Sequence, residues 1–328
     1  MENFSKNLCR TIVALLCWAC AGWAQADGYP SRPVTLIIPT GPGGGTDLVA
    51  RVMTNRLAQV LGQPVVIQNR AGAGGIVGNQ DAARAAPDGY TLLMSSNQFA
   101  MIPAVQGNLP YDPVKDFIPI TSIGMIPTLV VVNPQLPVHS LPELIAYAKA
   151  RPSKLQYASA GIGSPNHLFG ELLDRMAGMD VLHVAYRGAA AALLAVASGE
   201  ASLAYASLPA SQSFLDAGKI KALAITSGKR SQRLPDLPAV AETVPGYDAE
   251  IWLGIWGVAG TPPDVIAKVH AALLETMKDP AVAKGLADLG LELQPRSQEE
   301  FERVVNDELK KWARLVDESG GAIQKQKR

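Results

Sequence analysis

Val34 to Ile38 (VTLII) reads as one apolar run, as expected for a strand buried on both faces of a parallel sheet. Behind it, Leu48, Val49, Val52, Met53, Leu57 and Leu61 recur at helical spacing and predict a helix over 46–61. The alternation then repeats. A strand over 65–68 leads into the turn Asn69–Gly75 and a helix over 76–86. Pro87-Asp88-Gly89 is a turn, and a strand over 90–95 ends in Ser96-Asn97-Gln98. After the turn-rich connector Pro110–Pro113, a strand over 128–132 opens a second series. Its helices are expected over 141–150, 166–177, 189–198 and 210–217, and its strands over 155–158, 181–185, 201–206 and 222–226. The pattern predicts an α/β chain built on parallel, doubly wound sheets. Ile251 to Ala259 reads as a further strand with Trp252 and Trp256 on one face, where packing in a core or at a hinge suits them better than stacking on a ligand. Helices over 264–277 and 281–289 follow. Ser297-Gln298-Glu299-Glu300 is a capping box that opens a long helix to about Glu318.

The stretch between the first strand and helix carries the strongest chemical signal. Pro39-Thr40-Gly41-Pro42-Gly43-Gly44-Gly45-Thr46-Asp47 holds four glycines where one or two suffice for a turn. The first N–H groups of a helix lack intrahelical partners, and the macrodipole puts partial positive charge there. Glycines let a ligand approach that backbone, so the place suits a carboxylate or phosphate. Phosphate-specific motifs do not fit. A Walker loop ends in Gly-Lys-Ser/Thr, whereas Thr46-Asp47 follows here, and the dinucleotide pattern fails because Thr46 stands where its third glycine belongs. Asp47 reads as a helix or loop cap or as a ligand contact. Ser159-Ala160-Gly161-Ile162-Gly163-Ser164 is a second glycine turn in the same strand-to-helix setting, and the two turns can face each other across a cleft.

Charge and cysteine usage narrow the class. Lys6 and Arg10, an apolar stretch over 11–22 and Ala24-Gln25-Ala26 form an export leader, expected to be cleaved before Asp27. The three cysteines, Cys9, Cys17 and Cys20, all fall inside it, so the mature chain is expected to have no disulfide, thiol nucleophile or cysteine metal site. The full chain has 29 basic and 29 acidic residues; without Glu2, Lys6 and Arg10 these become 27 and 28, a net charge of −1. That balance argues against nucleic acid or an anionic membrane surface as partner. The remaining 302 residues suit two domains. Ser164 and His167, three apart, share a helical face, but no G-x-S-x-G surrounds them, so ligand contact or capping is favoured over catalysis. His139, His183 and His270 lack metal spacing. The basic end, Lys325 to Arg328, reads as a frayed tail.

PTGPGGGTDLVAR (39–51), NRAGAGG (69–75), PDGYTLL (87–93), LPYDPVKDF (109–117), SAGIGSPNH (159–167), HVAYRG (183–188), GKIKALAIT (218–226), LPDLPAVAE (234–242) and WLGIWGVAGTP (252–262) occur in this order. Together they resemble the Bug-type extracytoplasmic solute receptors of tripartite tricarboxylate transporters. The resemblance implies a periplasmic-binding-protein fold of type II: two domains (27–127 with 253–328, and 128–252) joined by crossing strands, with the ligand in the cleft. It implies a monomeric, periplasmic receptor with no cofactor, metal or catalytic residue, which delivers a small di-, tri- or aromatic carboxylate to membrane permease subunits. Carried over, Thr40, Gly41, Gly43, Gly44, Gly45, Thr46 and Asp47 form one lip. Ser159, Gly161, Gly163, Ser164 and His167 form the other, Asn97 and Gln98 the floor, Tyr186 the far wall, with Ser207 beside it. The alternatives are a sensor that feeds a kinase, and a hydrolase using Ser164 and His167. The chain departs from the family pattern at Ala185, Arg187, Ala191 and Ala195. Ala206 replaces a common aspartate, which turns the expectation away from amino-acid ligands.

Overall fold

The computed structural model describes residues 28–186, 188–320 and Ile323. The expected leader with its cysteines, the cleavage point before Asp27, Arg187 and the basic tail lie outside the described residues. In chain order the strands are β1 (Val34–Ile38), β2 (Val65–Asn69), β3 (Thr91–Ser96), β4 (Phe117–Ile126), β5 (Thr128–Val132), β6 (Gln156–Ser159), β7 (Leu182–Ala185), β8 (Leu203–Ser207), β9 (Lys221–Ile225), β10 (Ile251–Val258) and β11 (Glu292–Leu293). The helices are α1 (Gly45–Leu61), α2 (Ile76–Ala83), α3 (Gln98–Gln106), α4 (Leu141–Lys149), α5 (Pro165–Ala177), α6 (Ala189–Ser198), α7 (Leu208–Asp216), α8 (Pro263–Lys278), α9 (Pro280–Asp288) and α10 (Gln298–Glu318).

Two sheets form, in the orders β11-β4-β10-β3-β1-β2 and β7-β6-β8-β5-β9. The expected parallel pattern holds within β3-β1-β2 and β7-β6-β8. Both sheets are nevertheless mixed: β10 runs antiparallel to β3 and β4, and β5 antiparallel to β8 and β9. The cause is the connectivity. The chain leaves the first sheet at Ile126 and enters the second at Thr128, then returns after Ile225 to β10. Each crossing strand comes from the other lobe and inserts against the local direction.

β4 and α3 are absent from the sequence expectation. β4 carries Pro119, which cannot donate to a ladder, and the β4–β10 register shifts between Ile255 and Trp256, opposite that proline. α3 is apolar all round with Pro103 inside it, and Phe99, Ala100, Met101 and Ile102 are buried. Such a helix has no polar face to reveal its period; it belongs inside the molecule. Its Ala100, Met101 and Val105 join the core of the second sheet, as do Trp312 and Leu315 of α10. Its Phe99 instead stacks on Trp256, with ring centroids 4.7 Å apart. Trp252 and Trp256 share one buried face, as expected, 6.0 Å apart and packed with Phe301. α10 begins at the expected capping box: Ser297 Oγ accepts from the Glu300 N–H at 3.2 Å, and the Glu300 carboxylate accepts from the Ser297 N–H at 3.1 Å.

Candidate functional site

Parallel pairing places the carboxyl ends of β1, β2 and β3 on one edge of the first sheet, and those of β6 and β8 on one edge of the second. The first glycine turn leaves β1 there. Gly43 has φ +80°, and Gly44, extended at φ −71° and ψ 160°, is the N-cap of α1 with no side-chain cap. The amides of Gly45, Thr46 and Asp47 therefore start the helix without an acceptor from the capping residue. Thr40 Oγ1 is buried beside them without a hydrogen-bond partner.

Asp47 holds this turn from behind. It is fully buried; Oδ2 accepts from the Gly43 N–H and from Arg51 Nε, both at 2.8 Å, and Oδ1 accepts from Asn69 Nδ2 at 3.0 Å. The same Asn69 amide reaches the Thr40 carbonyl at 3.1 Å. The Arg51 hydrogen bond, opposed by burial and aided by Gly43 and Asn69, brings the carboxyl down to about 2. Asp47 acts here as a cap of the loop, with both oxygens engaged inside the turn.

The glycines divide in what they present. A Cβ on Gly44 would lie 3.3 Å from the Gly41 carbonyl oxygen and 3.6 Å from Thr40 Oγ1, within the turn itself. One on Gly41 or Gly45 meets nothing within 4 Å. The turn is therefore open over Gly41, Gly43 and Gly45 and closed at Gly44. Gly78, missed by the sequence reading, packs α2 against this turn: a Cβ there would lie 2.7 Å from both the Pro39 Cα and the Arg70 carbonyl oxygen. A glycine inside a helix is the signal that marks such a close approach.

The second turn follows β6. Ser164 caps α5, its Oγ accepting from the backbone N–H of His167 at 3.3 Å. The His167 ring is fully buried and its Nδ1 accepts from the Gly163 N–H at 3.0 Å. The hydroxyl thus meets the histidine backbone while the imidazole binds the turn, so the Ser164–His167 pair lacks the hydroxyl-to-imidazole bond a nucleophile needs. Ser159 Oγ accepts from the Gly161 N–H at 3.1 Å and lies 2.6 Å from His183 Nε2. His183 stacks on His167 with centroids 3.9 Å apart, so it supports this turn.

α3 lies between the turns. A Cβ on Gly163 would touch Val105 at 3.0 Å, one on Gly74 would lie 3.7 Å from Gln98 Nε2, and one on Gly75 would lie 3.6 Å from both Ile102 and Pro39. The structure thus brings the second glycine turn, the 72–75 turn and Gln98 onto one helix, and the first turn borders the 72–75 turn through Pro39. Asn97, fully buried, ties the end of β3 to the returning strand: its N–H donates to the Trp252 carbonyl at 3.0 Å and Nδ2 to the Glu250 carbonyl at 2.7 Å. Ser207 ends β8 on the same edge as Ser159. Tyr186 is placed differently from the expected wall. Its hydroxyl donates to Glu200 at 2.9 Å and its ring packs with the α6 cluster, leaving its backbone as the part beside the turn, where its carbonyl oxygen lies 3.8 Å from a Gly161 Cβ.

Behind the second turn sits an acidic pair on α5. Tyr157 donates to Glu171 Oε1 at 2.6 Å. Burial, with the charge of Glu171 adding to it, pushes the Asp174 carboxyl up to about 8, although the Val181 N–H opposes this. The folded state thus keeps a proton that the unfolded chain releases near 3.8, so this contribution to stability is complete below that value and is lost as pH rises through about 8. Asp174→Asn keeps an acceptor for Val181 and removes the titration. Thermal melts are expected to show it more stable than wild type at about pH 8, with the gap closing toward about pH 4; an equal pH dependence in both proteins would show that Asp174 is ionised when folded.

Among the described residues, no group of histidine, cysteine, aspartate or glutamate side chains is arranged to hold a metal ion, and no helix is long and apolar enough to cross a membrane. Two α/β lobes, each with a glycine turn at a helix start and joined by strands that cross between them, have the architecture of a two-lobed solute-binding receptor. Residues 49–320 match the profile of the tripartite tricarboxylate transporter family receptors, TctC, and the chain belongs to that family. It is 35% identical to the protein BugT of Bordetella pertussis over 303 residues, covering 92% of this chain and 93% of that one. Two solved structures are similar throughout. One is the R. palustris protein Rpa4515 with adipate (34% identity, TM-score 0.76, covering 89% of this chain and 98% of that one). The other is MatC from Rhodopseudomonas palustris with bound malate (33% identity, TM-score 0.73, covering 88% and 100%).

Proposed function

We propose that this receptor works in the periplasm, captures a small carboxylate between its two glycine turns and delivers it to the membrane subunits of a tripartite tricarboxylate-type transporter. The observation that carries the reading is the start of α1: its amides have no side-chain cap, and the one carboxylate in the turn, Asp47, is turned inward and held by Arg51 and Asn69. A helix N-terminus arranged in this way favours an anion. The adipate and malate bound by the two similar proteins agree in chemical class. Ala206, buried at the end of β8, supplies no charge for a ligand ammonium, so simple carboxylates are favoured over amino acids.

A ligand that binds only the folded form at a hundredfold excess over its dissociation constant stabilises it by about 2.7 kcal/mol. In lobes of this size that is a rise of roughly 5–10 °C in melting temperature. A thermal screen of mono-, di- and tricarboxylates is expected to contain at least one such hit, while sugars and cationic amines leave the melt unchanged. A response to sugars alone overturns the reading.

A further inference from the structure

The two lobes meet at a second place besides the strand crossings. In the first sheet the order β11-β4-β10-β3-β1-β2 sets β11 at one end and the first glycine turn, after β1, toward the other, with the crossing strands β4 and β10 between them. In the second sheet β9 is likewise an end strand, separated from β6 and its glycine turn by β5 and β8. We propose that the 287–292 corner of the first lobe and the 229–233 loop of the second form a latch behind the crossings, which holds the lobes apart at the glycine turns and so sets how tightly the receptor binds.

Each jaw of the latch is fixed within its own lobe. β11 and the residues after it are fastened to β4: the Gln294 N–H donates to the Ile123 carbonyl at 3.0 Å, Ser122 Oγ to the Gln294 carbonyl at 2.5 Å and Thr121 Oγ1 to the Arg296 carbonyl at 2.7 Å. A Cβ on Gly124 would collide with the Glu292 carbonyl, so β11 lies this close to β4 because that residue is glycine. In the second lobe Arg230 makes two bonds to the Glu242 carboxylate, at 2.7 and 2.8 Å, and one to the Pro235 carbonyl at 3.0 Å. The Gly228 N–H donates to Asp248 Oδ1 at 2.9 Å.

Three contacts join the jaws. The Ser231 hydroxyl donates to the Glu292 carboxylate; Ser231 is 3% exposed, and its oxygen also accepts from the Arg233 N–H at 3.0 Å. Arg233 Nη1 donates to the Ala287 carbonyl at 2.7 Å. Pro209, at the start of α7, packs on Gly290, where a Cβ would collide with the proline ring. Between these contacts the jaws leave a cavity of about 520 Å³, lined by Lys229 and Gln232 from one side, Leu291 and Gln294 from the other, and Met125 and Glu250 beside the crossings. At the glycine turns, by contrast, no hydrogen bond among the described residues runs between 40–47 and 159–164.

The crossings are the natural pivot. α10 packs at the same junction, with Phe301 and Val305 in the aromatic cluster of the first lobe and Trp312 and Leu315 in the core of the second. A rotation about this pivot that brings the glycine turns together draws the jaws apart on its other side. Each latch contact therefore favours the arrangement with separated turns, and a ligand that closes the lobes has to break it. Apparent affinity falls by the fraction of molecules that are closed without ligand, so weakening the latch raises affinity.

The first readout requires no ligand. Residues 27–328 contain no cysteine, so Asn55→Cys on α1 and Ala190→Cys on α6, both exposed, place one spin label on each lobe. Pulsed electron double resonance on the ligand-free mature protein is expected to show a shorter interlobe distance in Ser231→Ala and in Arg233→Ala than in the same labelled protein with the latch intact. Arg233 is exposed, so its variant keeps the test open should the buried serine prove necessary for folding. Lys284→Ala, which removes a pair with Asp288 inside α9, is expected to leave the distance unchanged. Equal distances with and without the latch, a longer distance in its variants, or the same shift in Lys284→Ala overturns the proposal. The consequence for binding rests on the carboxylate reading: with the acid found in the thermal screen, each latch variant is expected to bind about fivefold more tightly by calorimetry, and weaker binding overturns the latch. If no carboxylate binds, that reading fails and the distance measurement still decides this one.

Discussion

Asp47→Ala is expected to unfold about 2–3 kcal/mol more easily than wild type and to bind its carboxylate tens of times more weakly. The substitution removes the fully buried carboxylate and leaves the Gly43 N–H and the Asn69 side-chain amide without that acceptor, in a turn that is itself only partly buried. Arg51 contributes less to the cost because its side chain is 54% exposed and water replaces the lost partner. Hence Arg51→Ala is the mild control. The weaker binding follows from preorganisation: Gly43, at φ +80°, keeps that conformation through its bond to Asp47, and a ligand would otherwise have to order the turn itself. The pH sign is also fixed. The folded carboxyl, at about 2, lies below its ordinary 3.8, so the stabilisation is complete above 3.8 and disappears as pH falls through 2. Urea unfolding at about pH 7 and pH 3 should therefore show a full difference between variant and wild type at the first and a smaller one at the second. An Asp47→Ala protein as stable as wild type at neutral pH, with binding intact, would show that the turn holds itself.

The first turn was legible because its signal is local. A buried run, four glycines and a periodic helix stand within one short stretch, and the chemistry follows from the place where strand meets helix. The second turn was legible by analogy of setting. The devices that fix both turns were not. Asn69 reaches Asp47 across 22 residues and His183 reaches Ser159 across 24, so each contact exists only once parallel strands are in register. Register of that kind has no mark in an isolated stretch. α3 was invisible for a different reason: burial between two lobes removes the polar face by which a helix announces its period. Tyr186 shows the converse error. It ends a strand at the expected edge, but a side chain's direction depends on its neighbours, and Glu200 and the α6 cluster draw the phenol away. The crossing strands explain the mixed sheets, since βα alternation reports the strands wound locally and says nothing about one arriving from the other lobe.

Gly78→Val is expected to have the larger effect on the cradle, although Gly78 contacts no ligand in this reading. The residue lies inside α2 and needs no left-handed conformation, so the cost is packing alone. A Cβ would stand 2.7 Å from the Pro39 Cα and the Arg70 carbonyl oxygen and 2.8 Å from the Pro39 Cβ. Two of those atoms are main chain, which no rotamer change relieves. Either α2 withdraws from the ends of β1 and β2 or the Pro39–Gly44 turn moves, and overpacking of this kind costs about 1–3 kcal/mol, at the upper end for valine. Displacement of the turn also moves the amides of Gly45 and Thr46, so binding should fall by two orders of magnitude or more, on the order of 3 kcal/mol. Gly45→Ala is the counterpart. Its Cβ meets nothing within 4 Å and its backbone is compatible with a side chain, so the fold is expected to be unchanged while the methyl group stands where a carboxylate would approach. Titration calorimetry and thermal melts on both variants separate the two causes: Gly78→Val loses stability and binding together, Gly45→Ala loses binding alone. Should Gly45→Ala bind as tightly as wild type while Gly78→Val loses binding, the anion does not sit over the start of α1, and the carboxylate must be held elsewhere in the cleft.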